Sequence, residues 1–220
     1  MSGTPPPAFA FEARDLCKRY GRRWALARVT FSLPAGKSLL LTGHNGSGKS
    51  TLLKLLATSV RPTVGGLRVL GQDAVEGREA VRRDVALLSH SSFLYEDLSA
   101  EQNLHLLARL LGEADPIGSS RSLLDRVGLT QRSDHPVREF SAGMRKRLAI
   151  ARLLMKAPKL ALLDEPFGEL DPQGIAQMET IISELKARGT SLILATHLVD
   201  QGLTLCEERL HLQEGRVVAA

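Results

Sequence analysis

Gly43-His44-Asn45-Gly46-Ser47-Gly48-Lys49-Ser50-Thr51 is the stretch on which the reading of this 220-residue chain turns. It fits G-x-x-x-x-G-K-[ST], the loop that wraps a phosphate chain. Glycine accepts backbone angles that a Cβ would obstruct, so the main chain closes around an anion and aims its N–H groups inward. The helix expected to start near Lys49 adds the positive end of its dipole. Lys49 brings a full charge to the β- and γ-phosphates, and the Ser50 hydroxyl suits Mg²⁺. The run 37–41 before the loop reads as a buried strand, and 51–56 after it as a helix. That strand–loop–helix frame separates a phosphate loop from a chance glycine-rich turn.

Further along, Leu160-Ala161-Leu162-Leu163-Asp164-Glu165 is an apolar strand ending in two carboxylates. Asp164 is placed to hold Mg²⁺ beside Ser50, directly or through water. Glu165, the next residue, points to the other side, toward the γ-phosphate, where a carboxylate orients and deprotonates water. The run 191–195 is a third apolar strand, and His197 just beyond it is a candidate donor that senses the γ-phosphate. Phe140-Ser141-Ala142-Gly143-Met144-Arg145 is a small-residue turn opening a basic helix. The Ser141 hydroxyl and the N–H groups around Gly143 make a second anion site there.

The remainder sorts by periodicity. Phe9 to Leu16 and Ala25 to Leu33 alternate apolar and polar residues, as half-buried strands do. Between Ser99 and Met155 the spacing turns helical: Ser99 caps a helix to Gly112, a second covers 121–127, and a third runs from Ser141 to Met155. Strands 85–88, 160–163 and 191–195 alternate with helices 172–188 and 198–205, and 209–219 reads as a small hairpin. The fold class is α/β: a parallel-sheet core, an antiparallel β subdomain and an inserted α-helical subdomain of about 92–157. Residues 8–220 make one domain, and proline-rich 1–7 a disordered lead-in.

Cys17 and Cys206 are the only cysteines, so no disulfide framework is expected. The N-terminus lacks the basic and apolar regions of a signal peptide, and no apolar run approaches the ~20 residues that cross a bilayer. The expected location is therefore cytoplasmic. The net charge is +5, with basic clusters at 14–28 and 138–159 that read as solvated surface. Aromatic content of 4% argues against a stacking platform, and no nucleic-acid partner is expected.

In order and spacing these motifs resemble, over essentially the whole chain, the ATP-binding subunits of ABC transporters. Gly43 to Thr51 matches that family's Walker A motif, Leu160 to Glu165 its Walker B with the catalytic Glu, and Ser141 to Arg145 its signature. The resemblance implies a P-loop NTPase with a RecA-like core, ATP and Mg²⁺ as ligands, and Glu165 and His197 as catalytic residues. It implies that Asp171, in Glu169-Leu170-Asp171, belongs to the D-loop and that Tyr20 stacks on adenine. Met144 departs from the usual signature Gln. His90 stands where the family carries a Gln in the metal's outer shell. Two copies would pair head to tail as a homodimer or pseudo-dimer, Ser141 and Gly143 of one meeting the γ-phosphate held at Lys49 of the other. A membrane-spanning permease would hold the subunit on the inner face of the cell membrane, docking near residues 90–103. Within the family, His90, the Ser-Ala-Gly signature and Asp164-Glu165-Pro166-Phe167 are similar to the ATP-binding subunits of haem exporters used in cytochrome c maturation. Drug or lipid exporters are the alternative. A soluble member acting on nucleic acid is disfavoured by the single nucleotide domain, and a phosphate-loop kinase has no need of the Ser141 turn. A silent regulatory copy would not keep Lys49, Asp164, Glu165 and His197 intact.

Overall fold

The computed structural model describes residues 7–89 and 93–218. Two long strands, β1 (Phe9–Tyr20) and β2 (Arg23–Pro34), lead into β3 (Ser38–Thr42) and α1 (Lys49–Leu56). Next come β4 (Val64–Val69), the two-residue β5 (Gln72–Asp73), α2 (Arg78–Asp84) and β6 (Val85–Leu88). Three helices, α3 (Ala100–Leu111), α4 (Pro116–Arg126) and α5 (Ala142–Lys156), separate β6 from β7 (Leu160–Asp164). The described chain finishes with α6 (Pro172–Ala187), β8 (Ser191–Ala195), α7 (Val199–Leu205), β9 (Glu208–Gln213) and β10 (Arg216–Val218).

These strands form two sheets. One is antiparallel, in the order β2-β1-β4-β5. The other has six strands in the order β10-β9-β3-β8-β7-β6, parallel except where β10 turns back on β9. Strand alternation splits its side chains between two cores. Leu39, Leu41, Leu160, Leu162 and Ile193 pack with α1 and the antiparallel sheet. Leu40, Ala161, Leu163, Leu192 and Leu194 pack with α3, α5 and α6. Both faces of the sheet are covered, which is why β3, β7 and β8 are unbroken apolar runs. Because these three strands are parallel, the loops after them meet at one edge, where ligands of such sheets bind.

Two elements differ most from the sequence reading. The second helix of the inserted segment starts earlier, at Pro116 rather than Arg121. Asp115 caps it by accepting from the Gly118 N–H at 3.0 Å, and Pro116 occupies the first turn, where its missing N–H costs nothing. Gly118, Ser119 and Ser120 mask that start, being weak helix formers. β1 also runs past Leu16 to Tyr20, which carries the tyrosine to the edge of the site. The lead-in expected at 1–7 lies outside the described residues except for Pro7.

A carboxylate anchors the start of β3. Glu207 accepts from the Ser38 N–H at 2.9 Å and from its hydroxyl at 3.2 Å. The Ser38 N–H is the main cause holding this carboxyl below its ordinary value; burial opposes it, and the Ser38 hydroxyl, Lys186 and Lys37 assist. A lowered carboxyl stabilises the fold fully above its ordinary value of 4.5, and the contribution fades as pH falls through that value toward the lowered one. Glu207→Gln should therefore melt at a lower temperature than the native chain at pH 7. The difference should shrink in melts recorded at successively lower pH.

Candidate nucleotide site

A cavity of about 360 Å³ opens at the edge where β3 and β7 end. The loop after β3 supplies Asn45, Gly46, Gly48, Lys49, Ser50 and Thr51 to its wall. Asp164 and Glu165 line it from the end of β7, and Tyr20, Arg23 and Ala25 from β1 and β2. The backbone of the loop needs its glycines. Gly43 has φ +144, and a Cβ there would stand 2.2 Å from the Leu212 carbonyl oxygen. Gly48 has φ +111, and its Cβ would stand 2.6 Å from the Ala25 carbonyl oxygen. The loop is further tied by the Gly215 N–H donating to the Ser47 carbonyl at 2.9 Å.

The loop is built for an anion. Gly48 provides no side-chain cap for α1, so the N–H groups of the first turn are left for a ligand. The Ser47 hydroxyl is buried without a partner among the described residues. Lys49 folds back over the loop, its ammonium donating to the carbonyls of Gly43 (2.7 Å) and His44 (3.2 Å). Tyr20 is 48% exposed at the mouth, with the Lys18 ammonium 5.1 Å from its ring centroid. The remaining ring surface suits a base. Among the described residues, no three His, Cys, Asp or Glu gather to hold a metal. Mg²⁺ needs no such cluster, since it takes one or two protein ligands and fills its shell with phosphate oxygens and water. Ser50 and Asp164, both lining one cavity, fit that demand.

Glu165 sits in the left-handed region, φ +49, as the chain turns out of β7. Its N–H continues the ladder to the Ala195 carbonyl at 2.8 Å. Its Oε2 lies 2.8 Å from His197 Nδ1 and accepts, at 3.4 Å, from the His197 backbone N–H. His197 is thus brought to the site through Glu165; it is not part of the cavity wall.

The remaining predicted residues lie elsewhere. A second cleft of about 350 Å³ joins Ser141, Gly143 and Met144 to Glu169, Leu170 and Asp171. Ser141 caps α5, its hydroxyl accepting from the Met144 N–H at 3.3 Å. Gly143 permits a close approach, because a Cβ there would be 2.8 Å from the Glu169 carbonyl oxygen. Met144 packs against the helical core. The Asp171 carboxylate caps α6 through the Gly174 N–H (2.9 Å) and pairs with Arg147 (2.8 Å). Gly174 foremost, with Arg147, holds that carboxyl below its ordinary range. Gly43, His44 and Ser47 belong to the loop but do not line the cavity. His90 lies outside the described residues.

One cation corrects the reading of the basic clusters as solvated surface. Lys146 is only 5% exposed, and its ammonium donates to the Glu165 carbonyl at 2.8 Å. Burial pushes its pKa down, while Glu169, Asp164 and Glu165 pull it back up. Ile150, one turn along α5, shares the face of Lys146 and is the apolar signal that this face is buried. Arg23 is exposed, as the sequence implied, and also stands at the cavity wall.

The chain matches the model of the ABC transporter family over residues 26–168. It belongs to that family. This ABC protein is 36% identical to the lantibiotic transport ATP-binding protein SrtF of Streptococcus pyogenes, over 93% of this chain and 87% of the relative. It is 36% identical to the lipoprotein-releasing system ATP-binding protein LolD 2 of Rhodospirillum rubrum, covering 94% and 95% of the two chains. Among solved structures, an ATP-binding subunit of an ABC transporter superposes with TM-score 0.87 at 32% identity, over 96% of this chain and 88% of that one. A dimeric ATP-binding cassette bound to ADP and phosphate shares the fold, with TM-score 0.88 at 22% identity over 95% and 97%. The ABC protein is a P-loop ATPase domain. Among its described residues, no helix is long and apolar enough to cross a membrane.

Proposed function

We propose that this ABC protein is the ATP-hydrolysing subunit of a membrane exporter, working as a pair that closes on ATP at the inner face of the cell membrane. The observation that carries the reading is the convergence of Lys49, Ser50, Asp164 and Glu165 on one cavity, with His197 bonded to Glu165. Tyr20 receives the base. The loop N–H groups and Lys49 hold the phosphates. Ser50 and Asp164 would hold Mg²⁺, which neutralises developing charge on the phosphates. Glu165 takes the proton of the attacking water, and His197 fixes the orientation of that carboxylate. Ser141 and Gly143 open a separate cleft, so a second copy must bring them to the γ-phosphate. ATP then favours the closed pair by the affinity it has for closed over open, and loss of phosphate reverses it.

A docking surface for the membrane partner lies at the other end of the helical segment. Phe93 and Tyr95 are 60% and 58% exposed. Asn103 holds this stretch in place by accepting from the Tyr95 N–H and donating to the carbonyls of Tyr95, Leu98 and Ser99. Beside it a groove of about 210 Å³ runs between Arg82, Leu107, Arg152 and Lys156. The cargo class follows the relatives. Their names speak of lantibiotics, of daunorubicin and doxorubicin, of bacitracin and of lipoproteins. We place this protein with such exporters; haem, to which the sequence motifs alone pointed, has no support in those names. Affinity purification from detergent-solubilised membranes tests the partnership. A multi-span protein recovered in equal amount is expected, and Phe93→Ala with Tyr95→Ala should release it. Recovery of the ABC protein alone, with full ATPase activity in the soluble fraction, would contradict the reading.

A further inference from the structure

Arg23 lines the nucleotide cavity, yet it belongs to neither the phosphate loop nor the carboxylate strand. It is the first residue of β2 and is the register partner of Tyr20 across the turn at Gly21 and Arg22. Directly opposed residues of an antiparallel pair project from the same face of the sheet. The turn therefore sends an aromatic ring and a guanidinium into the same mouth. A Cβ on Gly46 would stand 3.7 Å from Arg23 Nη2, so the guanidinium lies beside the loop at that glycine. Among the described residues Arg23 has no hydrogen bond, ion pair or ring contact of its own, although Asp164 and Glu165 line the same cavity. Its neighbours are spoken for: Glu165 by His197, and Lys49 by two loop carbonyls.

We infer that Arg23 is a second phosphate-binding cation of this site, contacting the phosphate chain of the nucleotide that Tyr20 and the loop hold. A guanidinium is planar, permanently charged and suited to two-point contact with phosphate oxygens. Placed on the antiparallel sheet, it joins that sheet to the ligand through charge as Tyr20 does through the base. The site thus closes on the phosphates from two sides, with Lys49 from α1 and Arg23 from β2. The inference rests on the loop being the nucleotide site.

Arg22 supplies the control. It carries the same charge one residue away, in the turn, and does not line the cavity. MgATP and MgADP binding is measured by titration calorimetry for the native chain, Arg23→Ala, Arg22→Ala and Lys49→Ala. Arg23→Ala should bind both nucleotides about tenfold more weakly, the size of one charge-assisted contact. Arg22→Ala should bind within about twofold of native, and the loss for Arg23→Ala should shrink at high salt. Equal losses for Arg22→Ala and Arg23→Ala would reduce the effect to net charge and overturn the inference. So would native affinity in Arg23→Ala while Lys49→Ala has lost binding. Native affinity in Lys49→Ala would instead overturn the placement of the nucleotide on the loop. The exposed position of both arginines keeps the fold out of the comparison.

Discussion

Glu165→Gln should lower steady-state ATP hydrolysis by at least about 100-fold while leaving MgATP affinity within about twofold. The substitution is nearly isosteric. An amide oxygen can still accept from His197, so the 2.8 Å contact and the left-handed turn after β7 survive. What is lost is the acceptor for the proton of water, and positioned general bases contribute about 10²–10⁴-fold. The affinity holds because the phosphates are gripped by the loop and Lys49, not by a like-charged carboxylate. Phosphate release and equilibrium nucleotide binding measured on one preparation decide it. A Gln variant that hydrolyses at the native rate removes Glu165 from its role.

Lys49→Ala should weaken MgATP binding by about 10–100-fold, with hydrolysis undetectable at ordinary nucleotide concentrations. The ammonium is already poised, 2.7 Å from the Gly43 carbonyl and 3.2 Å from that of His44. A phosphate arriving in the loop meets this charge without further ordering of the side chain, and hydrogen bonds to charged groups are worth about 1.5–3 kcal/mol each. Losing the two carbonyl ties leaves exposed or partly exposed loop atoms that water can satisfy, so the melting temperature without nucleotide should change little. The rise in melting temperature that MgATP gives the native chain should vanish, since stabilisation by a ligand scales with its occupancy. A variant still stabilised by MgATP to the native extent would contradict the loop's assignment.

Much of the architecture was legible because its signals are local and strong. Val85 to Leu88 and Ser191 to Ala195 were bounded correctly, as apolar runs set off by polar or turn residues. Ser99 and Gly112 delimited α3 because the capping box with Gln102 and the left-handed glycine are chemical end-marks. The start of α4 was not legible: Asp115 and Pro116 form an equally chemical signal, but Gly118 and two serines after it read as loop. The partner of each strand was hidden as well. Nothing local in 208–213 says that β9 pairs in parallel with β3, beside the phosphate loop. At the site, the sequence named the loop and the carboxylates through motif spacing. It missed Arg23 and Lys146, since both act through tertiary placement inside clusters of other basic residues. Lys146 is the plainer case. Only the packed structure reveals that its ammonium lies under the Glu165 carbonyl and among Asp164, Glu165 and Glu169.

The separation of the two clefts has a consequence for assembly. Ser141 and Gly143 lie in one opening and Lys49 in another, on a single chain. On the proposed function, the cleft of one copy meets the cavity of the next, with the nucleotide's phosphates between them. The measurement that tests this most directly is the mass of Glu165→Gln in solution, by light scattering during gel filtration, with MgATP and with MgADP. The expected result is about twice the 23.9 kDa of one chain with MgATP and a single chain with MgADP. A single chain at saturating MgATP would contradict the account.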